Sequence, residues 1–313
     1  MYTGLESKDR LLREDLAERS NLREGIRVES RAGMPELPEV ETVRRIFDRC
    51  LTGETIVELQ LPDDPIFMKQ DDPARVRETL LGAKVLATGR RGKTFWFELE
   101  DRPYVVAHLG MTGIVREVTD PECQLAWRET GAFFDADGNV RFLKLQMKSS
   151  SGRVVALADG RRLARLWLTD SLELDKKLSI VGRDWWLDPM TPQELHAVLS
   201  KRKAPMKALL LDQKVFAGVG NWIADEALYQ ARIAPNRPAD SLSLKETKAL
   251  VTALKAILDL AVEAGANSEK YPEDWLFHFR WGGSKGHDQI GGKPIRREEL
   301  GGRTTAWVPG VQK

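Results

Sequence analysis

From Val40 to Cys50 the apolar residues Val40, Val43, Phe47 and Cys50 recur at helical spacing, and Pro38 fits a first turn, so the pattern predicts a helix. After Gly53 the periodicity changes. Short apolar stretches at Thr55–Leu61, Lys84–Thr88, Thr94–Leu99, Tyr104–Leu109, Arg141–Met147 and Val154–Leu157 are separated by Gly, Pro and Asp turns, which predicts an antiparallel sandwich or barrel. One helix, Pro73–Leu81, interrupts them. From Thr191 the pattern is helical again. Thr191-Pro192-Gln193-Glu194 reads as a cap, a first-turn proline and an acidic first turn. Further helices follow over 207–212, 221–231 and 244–264, the last with Leu250, Leu254, Ile257, Leu258 and Ala261 on one face. The tail from Trp275 is rich in Gly and aromatics and reads as loops and a hairpin.

This texture divides the chain into residues 34–188, a β-sandwich with flanking helices; 189–270, a helical domain; and 271–313, a terminal hairpin. Residues 1–33 are almost all polar and charged, without the apolar core of a secretory signal and too acidic for a transit peptide, and are read as a disordered leader or a mis-started extension. The chain of 313 residues is 42% hydrophobic, and no apolar run reaches membrane-spanning length. Two cysteines, Cys50 and Cys123, supply neither a disulfide framework nor a four-cysteine zinc site, and suit a reducing intracellular compartment. A net charge of +1 means that any nucleic-acid binding must rest on local basic patches.

The candidate chemistry begins at Met34-Pro35-Glu36-Leu37-Pro38-Glu39-Val40-Glu41. A proline freed at its nitrogen is a secondary amine, a nucleophile partly unprotonated near neutral pH, and Glu36 places an acid beside it. That pair suits attack on a sugar carbon and an iminium intermediate. Within the full chain Pro35 follows thirty-four residues. Its nitrogen is then a tertiary amide without basic character. Other segments sharpen the picture. Arg90-Arg91-Gly92-Lys93 falls between two strands and reads as a tight basic hairpin. His108-Leu109-Gly110-Met111-Thr112-Gly113 ends a strand in a flexible loop with an apolar tip. Gly218-Val219-Gly220-Asn221-Trp222-Ile223-Ala224-Asp225-Glu226 opens a helix whose first amides suit a phosphate. Gly301-Gly302-Arg303-Thr304-Thr305 places an arginine on the terminal hairpin.

Together, and in this order from Met34 onward, these segments resemble the formamidopyrimidine-DNA glycosylase family, within the wider group that includes endonuclease VIII. Leu37 favours the formamidopyrimidine branch, because endonuclease VIII usually has glycine there. Family members commonly close on a four-cysteine zinc finger; here Val308-Pro309-Gly310-Val311 stands where its last cysteine pair would be. The chain thus resembles the plant and fungal "zincless" branch, which implies no metal or other cofactor.

The resemblance implies an α+β fold with a helix–two-turn–helix motif. It implies a monomeric, DNA-associated bifunctional glycosylase and lyase that removes oxidised purines from duplex DNA and extrudes the damaged nucleotide to reach it. Pro35 would be the nucleophile and Glu36 its acid–base partner. Lys93, His108, Asn221 and Arg303 would grip phosphates. Met111 would fill the space left by the nucleotide, Arg161 would face the orphaned base, and Leu163, standing where a phenylalanine is usual, would wedge between base steps. Two other readings remain: an endonuclease VIII-like enzyme for oxidised pyrimidines, and a non-catalytic damaged-DNA binder with Pro35 blocked.

Overall fold

The computed structural model describes residues 34–68, 71–120, 122–123, 133–282 and 288–313; the leader expected over residues 1–33 lies outside the described residues. The helix expected near Val40 is α1 (Leu37–Leu51), with Pro38 in its first turn. It lies against the sheets and buries Val40, Val43, Phe47 and Cys50, as its spacing requires.

Two four-stranded antiparallel sheets follow. One has the order β1 (Ile56–Gln60), β6 (Leu143–Ser149), β7 (Val154–Ala158), β5 (Ile114–Glu117). The other runs β2 (Val85–Arg91), β3 (Thr94–Leu99), β4 (Tyr104–His108), β8 (Arg165–Thr169). Helix α2 (Pro73–Leu80) is capped by Asp72, whose side chain accepts from the Ala74 N–H at 3.1 Å. Phe47, Phe95 and Phe97 meet in the shared core, two of the three pairs edge-to-face. Strands β5 and β8 escape the sequence pattern. The first is four residues long behind the Gly110–Gly113 turn, and the second opens on Arg165 rather than on an apolar run.

The second half holds α3 (Pro192–Leu199), α4 (Met206–Leu210), α5 (Asn221–Gln230) and α6 (Leu244–Glu263). Thr191 caps α3 and Ser243 caps α6, each answered by a glutamate three residues on. The apolar stripe of α6, Leu250 to Ala261, is fully buried. Two short hairpins close the chain: β9 (Gln289–Ile290) with β10 (Lys293–Pro294), and β11 (Arg296–Leu300) with β12 (Arg303–Trp307). The aromatics of the tail are divided between two cores. The core of the terminal hairpin is aliphatic, built from Leu276, Ile290, Ile295, Ala306 and Val308 with Phe279 beside them, while Trp275 and Phe277 join Trp222 and Tyr271 in the helical core.

The division near residue 188 is bridged by α1. Leu37, its first residue, packs into the helical core with Trp185 and Trp222, whereas Val40 onward packs into the β core. The linker before α3 is pinned too: Asp184 bridges Ala217, and the Trp185 N–H donates to the Ala217 carbonyl at 3.3 Å.

Candidate active site and DNA interface

The entry to helix α1 carries Pro35 and Glu36 to the seam between the two cores, where both are buried. The Glu36 carboxylate is gripped by the start of α5. The Trp222 N–H donates to its Oε1 at 2.9 Å and the Ile223 N–H to its Oε2 at 3.2 Å. This corrects one expectation: those amides are taken by a side chain 186 residues upstream and are not open to a phosphate. Gly220 holds the cap position and Asn221 is the first helical residue. Gly220 is needed for contact alone, since its backbone is ordinary extended chain (φ −125°) but a Cβ there would lie 2.2 Å from Glu36 Cδ.

Burial raises the Glu36 carboxyl above its ordinary range, against the opposing pull of Lys93 and of the two amides. Glu39 sits beside it. Its Oε2 accepts from the Glu36 N–H at 3.0 Å, and its Oε1 from the Trp222 indole at 3.3 Å. Burial, with the neighbouring Glu36, pushes Glu39 up to about 8. Tyr271 stacks on Trp222 with ring centroids 5.7 Å apart, and its buried hydroxyl has no hydrogen-bond partner among the described residues. Sequence reasoning passed over both Glu39 and Tyr271; the recurrence of an acid at Glu36 and Glu39 was the available signal for the first.

Lys93 projects from the β2–β3 turn. Burial lowers its ammonium pKa, with Glu36 and Glu39 opposing and Arg303 adding to the fall, so these three groups lie within electrostatic reach of Lys93. The basic hairpin expected here is corrected in detail. Arg90 and Arg91 belong to strand β2, and Arg90 is buried and neutralised. Its guanidinium bridges Glu41 Oε2 at 3.1 Å and Asp184 Oδ2 at 2.5 Å, and donates to the Gly92 carbonyl at 2.8 Å. Asp184 also accepts from the Gly92 N–H at 2.7 Å. This cluster fixes the turn from which Lys93 emerges.

His108 ends β4 opposite Thr94. Its Nδ1 accepts from the Gly110 N–H at 2.9 Å, which leaves the ring proton on Nε2. Burial, then Lys93, holds the imidazole neutral, down to about 4. Arg303 is exposed on β12, and the hairpin that carries it is tied to α5. Asn221 Nδ2 donates to the Thr304 carbonyl at 3.0 Å, leaving its buried Oδ1 without a partner among the described residues. Asp225 accepts from Lys207 at 2.5 Å, from Arg280 at 2.8 Å and from the Ala306 N–H at 3.2 Å. The Asn221 side chain therefore braces the Arg303 hairpin in this state.

Met111, Arg161 and Leu163 come together on two touching loops. Gly110 (φ +63°) packs so closely that a Cβ there would lie 2.4 Å from the Leu163 backbone. Asp159 organises both loops through the Thr112 hydroxyl at 2.5 Å, the Arg161 N–H at 3.1 Å, the Leu163 N–H at 2.6 Å and the Ala164 N–H at 2.7 Å. Met111 is 39% exposed, Arg161 is exposed and Leu163 half-buried. Among the described residues no group of three or more His, Cys, Asp and Glu is placed to hold a metal.

The model of the formamidopyrimidine-DNA glycosylase N-terminal domain matches residues 34–166, and that of the formamidopyrimidine-DNA glycosylase H2TH domain matches residues 181–272. The formamidopyrimidine-DNA glycosylase of Arabidopsis thaliana is 35% identical over 280 residues, covering 90% of this chain and 71% of the relative. That of Thermus thermophilus is 34% identical over 294 residues, covering 89% and 98%. This chain belongs to the formamidopyrimidine-DNA glycosylase family. Among solved structures, the Thermus thermophilus protein is 30% identical with a TM-score of 0.66, covering 89% of this chain and 98% of its own. The Lactococcus lactis protein, crystallised non-covalently bound to DNA containing an abasic site, is 25% identical with a TM-score of 0.72, covering 89% and 99%. The seam that buries Pro35 and Glu36 thus lies between segments that the two domain models match separately.

Proposed function

We propose that this glycosylase-family chain excises oxidised purines from duplex DNA and then cleaves the strand, with Pro35 as nucleophile once its nitrogen is freed from Met34. The observation that carries this reading is the placement of Pro35 and Glu36 together, buried at the seam, with the Glu36 carboxyl held by two α5 amides and raised by burial. A proton donor working near neutral pH needs a raised carboxyl.

The free amine of Pro35 attacks the sugar C1′, and the bond to the damaged base breaks as the base departs with its electron pair. The C1′–O4′ bond then opens, Glu36 protonates O4′, and the nitrogen lone pair forms the iminium. The iminium acidifies a C2′ hydrogen. Its loss expels the 3′ phosphate, and a second elimination expels the 5′ phosphate. Lys93, His108 and Arg303 supply donors to the backbone phosphates, which position the strand without reading it. His108 does so as a neutral N–H donor. Asn221 would add a contact only by exchanging its bond to Thr304.

The test is borohydride trapping on a duplex carrying an oxidised guanine, with chains beginning at Met1 and at Pro35. The Pro35 form should trap covalently and release the base, and the Met1 form should bind without trapping. Equal trapping by the intact Met1 chain, its mass verified, would remove Pro35 as nucleophile. Faster release of an oxidised pyrimidine than of an oxidised guanine would favour the endonuclease VIII-like reading.

A further inference from the structure

Beside the loop that carries Arg161 and Leu163 stands a side chain that the sequence pattern does not single out. Phe142, immediately before β6, is 60% exposed. Its backbone has φ +55°, in the left-handed region, where a bulky side chain is a rare occurrence that signals a turn or strain. Arg162, on the neighbouring loop, is held in the same region at φ +54°. Strain of this kind persists only where the surrounding fold over-determines it, and it gathers at sites that bind.

Here the over-determination is visible. The Phe142 carbonyl accepts from the Asp159 N–H at 3.0 Å, so the residue is tied to the carboxylate-bearing hub of the Met111 and Arg161–Leu163 loops. Its ring lies against Gly160, where a Cβ would come within 3.3 Å of Phe142 Cδ2. Arg162 is anchored by Asp64 through Nη2 at 2.7 Å and Nε at 3.2 Å, and Asp64 also takes Lys144 at 2.6 Å. The guanidinium of Arg141 sits over the Phe142 ring, 5.3 Å from its centroid. An exposed ring under the exposed Arg141, packed on the Gly160 that precedes the exposed Arg161, fits a polyanion that also offers flat apolar surfaces.

We propose that Phe142 is a second DNA-probing side chain, whose ring stacks on a base beside the damaged nucleotide and supplies the aromatic contact that Leu163 lacks. The occupant is duplex DNA, for two reasons: Arg141 over the ring and Arg161 on the adjoining loop are charge-complementary to it, and the ring is continuous with the Met111–Arg161–Leu163 patch. The inference rests on the DNA-repair reading above.

The experiment uses the full chain, since binding needs no free amine. The duplex carries a reduced, non-cleavable abasic site with a fluorescent 2-aminopurine beside it. Affinity and 2-aminopurine emission are compared for the wild type, Phe142→Gly and Phe142→Trp. Glycine accepts a positive φ, so the first variant keeps its fold, checked by an unlowered melting midpoint. The wild type and Phe142→Trp should bind the abasic duplex in preference to intact duplex and change the emission. Phe142→Gly should lose about tenfold in affinity for the abasic duplex, the lower range of base–aromatic stacking, with an unchanged salt slope because no charge is removed.

If Phe142→Gly binds and perturbs the fluorophore as the wild type does, the inference fails while the DNA-repair reading stands. If the wild type itself shows no preference for the abasic duplex, both fail. A loss of concentration-dependent self-association in Phe142→Gly with DNA binding intact would assign the ring to a second copy of the chain and overturn the proposal.

Discussion

Gly220→Ala isolates the Glu36 carboxyl from every other feature of the site. The backbone at Gly220 is extended, so alanine brings no conformational penalty there. Its Cβ would lie 2.2 Å from Glu36 Cδ and 2.5 Å from Oε1, so the carboxyl must leave its seat on α5. It then loses the Trp222 and Ile223 amides, at 2.9 and 3.2 Å. Hydrogen bonds to a neutral, protonated carboxyl contribute about 0.5–1.5 kcal/mol each, so about 1–3 kcal/mol of positioning is lost. If the reaction depends on that positioning, base excision falls by at least about fivefold.

Stability responds differently. Burial already penalises this carboxyl, as its raised pKa records, and release toward water relieves the penalty. The loss in folding free energy should therefore be only about 1–3 kcal/mol, close to the cost of leaving buried donors unmet. The assay is single-turnover release of an oxidised guanine by the Pro35-initiated protein, alongside its urea midpoint and its trapping on a preformed abasic site. That last reaction should persist, because an abasic sugar already presents an aldehyde. Excision within about threefold of wild type would refute the assignment of Glu36 as proton donor. Glu36→Gln is the less clean test, because the amide offers one acceptor oxygen to two N–H donors and adds a folding cost of its own.

Arg303→Ala should weaken binding evenly across DNA sequences and lower the salt slope by about one, measured by titration at several salt concentrations; an unchanged slope removes Arg303 from the phosphate clamp. Asp184→Ala leaves the buried Arg90 guanidinium facing Glu41 alone, and should cost about 3–5 kcal/mol in urea unfolding; a loss under about 1 kcal/mol would show that Arg90 does not need the pair. Activity should survive prolonged chelation, and stoichiometric zinc in the purified protein would overturn the metal-free reading of the terminal hairpin. Between pH 4.5 and about 8 the folded chain keeps a proton on Glu39 that the unfolded chain has lost, so this group makes stability fall as pH rises through that window. Glu39→Gln should flatten the decline relative to wild type by up to about 1.4 kcal/mol per pH unit, and parallel profiles would refute the raised carboxyl.

Local pattern carried most of the elements. Thr94–Leu99 is the strand that its short apolar stretch between turns predicts, and the α6 stripe faces the core as its spacing requires. What the sequence hid depends on long-range partners. Arg90 reads as one more cation in a basic turn, because Glu41 and Asp184, which neutralise it, stand 49 and 94 residues away. The α5 amides read as a phosphate seat because the competitor for them lies 186 residues away, before α1. Phe142 has no periodic signature; only its exposure and backbone conformation draw notice.

The arrangement around Glu36 answers a conflict in physical chemistry. A helix start lowers a carboxyl pKa and fixes its geometry, whereas a donor at neutral pH needs the pKa raised. An exposed carboxyl on α5 would be well placed but already ionised. A buried carboxyl without donors would hold its proton but not its position. Here both influences act on one group, and burial outweighs the amides, with Lys93 pulling the other way. Glu39 extends the same solution, since a second acid in the same apolar enclosure is raised by burial and by Glu36 together. That enclosure exists only because Leu37 is anchored in the helical core while Val40 and the residues after it are anchored in the β core. One helix spanning both cores therefore sets the burial, and through it the acidity, on which the proposed chemistry depends.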